Sequence, residues 1–116
     1  MILYGIKSCD TVRKARKHLD QQGCQHNFHD FREAGLDSDT LARWLTQVEY
    51  TTLLNTRSTS WRALDDSDKQ DLDQAKAVRL MLANPTLVKR PVLEASGAVL
   101  VGFKAADYDA WIAQHG

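Results

Sequence analysis

The chain has 116 residues, 43% hydrophobic and 26% charged, which suits one compact domain with a real core and argues against disorder. Its 15 Lys and Arg balance 15 Asp and Glu, so a general nucleic-acid or membrane-surface role has no bulk electrostatic support. No apolar run approaches the ~20 residues of a membrane span, the first residues lack the pattern of an export signal, and two cysteines suit free thiols in a reducing, cytoplasmic setting.

Residues 2–6, Ile-Leu-Tyr-Gly-Ile, read as a short strand buried on both faces. The polar loop Lys7-Ser8-Cys9-Asp10-Thr11 follows and is rich in N-cap residues. Val12, Ala15 and Leu19 set an apolar stripe on a helix over about 11–22, and Gly23 stands where a helix C-cap glycine belongs. Residues 26–31 alternate polar and aromatic side chains as a second strand. Strand, helix, strand makes a parallel βαβ unit.

The middle of the chain changes character. Asp37-Ser38-Asp39-Thr40 starts a helix that carries Leu41, Trp44, Leu45 and Val48. Residues 51–55 read as a further helical turn or an irregular stretch, and 61–64 as a short helical piece. A longer helix is predicted over 68–82, with Leu72, Ala75, Val78, Arg79 and Leu82 on one side and Asn84-Pro85 ending it. No strand pattern lies between Glu33 and Asn84. Residues 91–95 and 98–102 around Ser96-Gly97 then form a hairpin. A final helix over 104–115 turns Tyr108, Trp111 and Ile112 inward. The order βαβ, helices, ββα predicts an α/β chain of thioredoxin-like fold, one domain over 1–116, with a helical insert at about 37–84 between the two halves.

The chemistry concentrates at Cys9, between the first strand and the first helix. A thiol at a helix N-terminus meets the positive end of the helix dipole and unpaired backbone N–H groups, and both favour the nucleophilic thiolate. Arg13, one turn on, and Lys7 add positive charge, while Asp10 is expected to spend its carboxylate capping the helix. Cys24 lies beyond a helix of roughly 18 Å, too far for a disulfide that needs Cα atoms within ~7 Å. The site therefore has one thiol, and disulfide chemistry must borrow its second thiol from another molecule. Arg57, Arg90 and Lys104 are further cations in loops or at element starts, and together they suit an anion pocket.

Three segments then carry a resemblance. Residues 4–15 (YGIKSCDTVRKA), Lys89-Arg90-Pro91-Val92 and Val101-Gly102-Phe103-Lys104 resemble, in that order, the arsenate reductase (ArsC) family, and most closely its YffB-like branch. The resemblance spans essentially the whole chain. It implies a catalytic cysteine that works with glutathione as co-substrate. By position it implies that Cys9 is the nucleophile and that Thr11, Arg13, Arg57, Arg90 and Lys104 serve the substrate or glutathione. Pro91 matches a proline that is cis in this fold. Lys104 stands where arsenate reductases tend to have a third arginine, so a point charge replaces a bidentate fork and arsenate is disfavoured as substrate.

The resulting expectation is an oxidoreductase: a glutathione-dependent thiol reductase acting through a mixed disulfide on Cys9, with glutaredoxin as a further partner. Its rivals are a glutathione- and glutaredoxin-linked arsenate reductase and a non-catalytic, Spx-like adaptor using Trp44 and Trp61 as contact surface. The missing C-x-x-C pair separates the chain from Spx-type regulators. No metal is expected, because His18, His26, His29 and Cys24 lack paired ligand spacing and the acidic run 65–68 lacks a calcium-loop pattern.

Overall fold

The computed structural model describes all of residues 1–116, and these divide into two compact units. The first comprises Met1–Ala34 and Arg90–Gly116; the second is Gly35–Lys89.

The first unit holds the sheet. It contains β1 (Ile2–Gly5), α1 (Asp10–Gln21), β2 (Asn27–Asp30) and α2 (Phe31–Ala34), and, after the second unit's helices, β3 (Val92–Ala95), β4 (Ala98–Val101) and α8 (Ala105–His115). The strand order is β2-β1-β3-β4. β1 and β2 run parallel, and β3 is antiparallel to both β1 and β4. This is the α/β, thioredoxin-like arrangement predicted from the order of elements. Leu3 and Leu93 pair directly and pack with Ala15 and Leu19 of α1 and Tyr108 and Trp111 of α8. Each fully buried leucine there contributes about 1.5–3 kcal/mol.

Two glycines fix how α1 sits. A Cβ on Gly5 would stand 2.6 Å from Val12 Cγ2, so the strand–helix approach requires glycine. Gly23, at φ +66, closes the helix: its N–H donates to Asp20 O and the Cys24 N–H donates to Leu19 O, a Schellman ending. The hairpin turn Ser96-Gly97 has positive φ at both residues (51 and 80), which matches the right-handed twist of its strands.

The second unit is helical: α3 (Ser38–Leu45), α4 (Tyr50–Leu53), α5 (Thr59–Arg62), α6 (Asp66–Lys69), α7 (Gln74–Ala83) and a 3-10 turn at Pro85–Leu87. Asp37, Ser58 and Asp73 cap α3, α5 and α7 through their side chains. Leu54 and Val88 form an isolated antiparallel bridge, and Leu41, Trp44, Leu53, Met81 and Leu87 are fully buried. The helix expected over 68–82 is two helices. Asp71 adopts φ +51 and Asp73 then caps a new start by accepting from the Lys76 N–H at 2.8 Å. Its inward face is Ala77, Leu80 and Met81, and Arg79 is exposed. Apolar residues almost encircle this segment, so periodicity selected the wrong stripe. β2 also ends one residue earlier than expected, because Phe31 begins α2.

Candidate active site around Cys9

Cys9 is the N-cap residue of α1, with extended backbone angles (φ −83, ψ 123). Its carbonyl accepts the Arg13 N–H at 3.0 Å, the helix's first bond, while its own N–H donates to Ile6 O at 3.2 Å. The side chain makes no capping hydrogen bond; the thiol is free and half-buried. Asp10 corrects the expectation placed on it: it lies inside the helix and pairs with Arg13 instead of capping. Thr11 is exposed in the same first turn.

Topology gathers the other first-unit residues at one end of the sheet. Parallel β1 and β2 both finish there, antiparallel β3 starts there, and β4 finishes there. The Cys9 loop follows β1, and the Arg90–Pro91 peptide, which is cis, precedes β3. The Gly102 N–H donates to Pro91 O at 2.8 Å, which ties the Gly102-Phe103-Lys104 segment to the same edge. Arg90 is half-buried and Pro91 buried. Lys104 is exposed at the N-cap of α8. Arg57 belongs to the second unit, where its N–H donates to Asn55 Oδ1 at 3.1 Å and its side chain is exposed.

Asp30 belongs to the same loop system, though the sequence did not single it out. This buried carboxylate, at the end of β2, accepts the Lys7 N–H at 3.2 Å and the Arg32 N–H at 2.7 Å. Lys7 Nζ reaches Glu33 Oε1 at 2.8 Å and Arg32 Nη1 reaches Ser8 Oγ at 3.3 Å, so residues 30–33 hold the loop that delivers Cys9. Burial pushes the Asp30 pKa upward, but hydrogen bonds from the backbone of Arg32, Lys7 and Glu33 outweigh it and hold the carboxyl below its ordinary value. The capping-box pattern Asp30-x-x-Glu33 was the available signal.

Cys24 lies past the other end of α1, with its sulfur 3.6 Å from Met1 Sδ. A hollow of about 690 Å³, lined by residues including Met1, Cys24 and His26, surrounds that end and not Cys9. No group of three His, Cys, Asp or Glu side chains is placed to hold a metal ion, and no helix is long and apolar enough to cross a membrane.

Comparison with known proteins agrees with this architecture. The solved structure of a YffB protein is 50% identical, with TM-score 0.91, covering 94% of this chain and 96% of that one. An arsenate reductase (ArsC) related protein from Brucella melitensis is 47% identical, with TM-score 0.76, over 96% of this chain and 92% of that one. An uncharacterized protein of Haemophilus influenzae is 44% identical over 93% of this chain and 95% of its own length. More distantly, the global transcriptional regulator Spx of Streptococcus mutans is 28% identical over 95% of this chain and 81% of its own length. The sequence model of the ArsC family matches residues 4–111, nearly the whole length, and the chain belongs to that family.

Proposed function

We propose that the protein is a glutathione-dependent thiol reductase with Cys9 as its single nucleophile. The observation that carries this reading is the placement of a free, partly accessible thiol at the start of α1 with no capping duty. It lies at the sheet end that also bears Arg90, cis-Pro91 and Lys104. The Cys9 thiolate attacks one sulfur of an oxidised substrate and expels the other as a thiolate. A first glutathione thiolate displaces the bound substrate thiol and leaves glutathione on Cys9. A second glutathione displaces Cys9, so one substrate disulfide and two glutathiones become two thiols and one oxidised glutathione.

In this reading Arg13, Arg90 and Lys104 hold carboxylates of the substrate or glutathione, with Thr11 and Pro91 at the contact; Arg57 is assigned the same task by resemblance. The reading treats residues 1–116 as one functional domain with the insert at about 37–84, working in a reducing compartment such as the cytoplasm, with glutaredoxin as a further partner. It requires neither a metal nor a bound organic cofactor.

An arsenate oxyanion is the second reading, supported by family membership and weakened by lysine at position 104. The Spx-like adaptor reading is weakened because Trp44 is fully buried and no large hydrophobic side chain is exposed. A coupled assay decides among them. Glutathione oxidation driven by hydroxyethyl disulfide supports the thiol reductase, oxidation driven only by arsenate supports the second reading, and inactivity with both contradicts the enzyme assignment.

A further inference from the structure

Beyond the sheet end, α1 itself carries an unabsorbed feature. Residues 13–17 include Arg13, Lys14, Arg16 and Lys17, in a chain whose net charge is zero. At 3.6 residues per turn, Arg13, Arg16, Lys17 and Asp20 fall within an arc of about 100° on α1, the helix that Cys9 precedes as N-cap. Val12, Ala15 and Leu19, on the adjoining face, are fully buried. Arg13, Arg16 and Lys17 line a shallow groove of about 470 Å³, which Asp20 and Gln21 close at the far end. Arg16 is held in place, its guanidinium 4.3 Å above the Phe28 ring. Arg13 forms an exposed pair with Asp10, which in water is worth too little to withdraw it from a better anion.

We propose that this basic strip is a docking surface for an acidic protein segment whose sulfur is exchanged at Cys9. The proposal rests on Cys9 being the nucleophile and names the partner's chemistry. Two features support an acidic polypeptide: the cations form a row on the helix that starts at Cys9, and the row is a few residues long. A segment joined to Cys9 by a mixed disulfide has its next residues over Arg13, Arg16 and Lys17. Acidic side chains there gain both faster encounter and better seating. In the exchange, the Cys9 thiolate bonds to the segment's sulfur and the segment's former disulfide partner leaves as a thiolate.

The test uses two synthetic peptides, each with one cysteine carried as its thionitrobenzoate disulfide, flanked by glutamates in one and lysines in the other. A small disulfide with the same leaving group and an otherwise uncharged thiol half is the control. The glutamate peptide is expected to release thionitrobenzoate about tenfold or more faster than the lysine peptide at low salt, and the ratio to collapse toward one at high salt. R16E/K17E reverses the preference while leaving the control rate unchanged. K14E/K17E, which spares the Arg16–Phe28 contact, reduces the preference in the same sense. Equal rates for the two peptides, or a preference that survives both variants, overturn the docking surface. A wild-type protein inert toward the small control overturns the nucleophile reading itself, and the docking proposal with it.

Discussion

The two ends of α1 carry the two cysteines, and both thiols are free and half-buried. Cys9 precedes the helix N-terminus, where the dipole is positive and N–H groups lack helical partners. Cys24 follows the C-terminus, beside a thioether and packed against the sheet's core. A 12-residue helix separates them by roughly 18 Å, so neither serves the other as a disulfide partner. Exposure does not separate the two; position on the helix does.

The largest effect expected from this contrast is loss of thiol exchange. Cys9→Ser reduces glutathione-coupled turnover to background while circular dichroism and Tm stay near wild type. Retained turnover would break the contrast outright.

Next is the carboxylate that holds the Cys9 loop. Asp30→Asn replaces one accepting oxygen with a donor facing a backbone N–H, and costs about 1–3 kcal/mol in urea unfolding near neutral pH. The sign of its pH dependence follows from a carboxyl held below its ordinary 3.8 when folded. Its contribution is complete above the unfolded pKa and disappears as pH falls through the lower folded value, so the wild-type advantage narrows in acid. A constant gap down to pH 2 contradicts the role assigned to Asp30.

Gly5→Ala tests the strand–helix approach at the Cys9 end and costs about 1–3 kcal/mol through its clash with Val12. Val12→Ala in the same chain relieves part of that cost, and a double-mutant cycle reads the coupling. The smallest effect belongs to Cys24→Ser, which changes activity by less than about twofold and stability by no more than about 1 kcal/mol.

The features legible in the sequence were those that local chemistry decides. Gly23 announced the end of α1, Ser96-Gly97 announced the hairpin, and Cys9 stood between a strand and a helix start. Features that depend on competition between neighbours were not legible. Asp71 and Asp73 break an otherwise periodic run, and the pattern gives no reason to prefer the break. Asp10 pairs with Arg13 because Cys9 already occupies the N-cap. Long-range pairing brings Pro91 and Gly102 to the sheet end of Cys9, and no spacing within either segment encodes it. Asp30 was missed because one of its partners, the Lys7 N–H, belongs to another loop, although the Asp30-x-x-Glu33 pattern marked it as a cap for its own Arg32 N–H.

The most direct test of the account is intact-mass analysis after incubation with oxidised glutathione, followed by peptide mapping. The account predicts a single glutathione adduct, located on Cys9 and removed by reduced glutathione. An adduct confined to Cys24, or none at all, would contradict it.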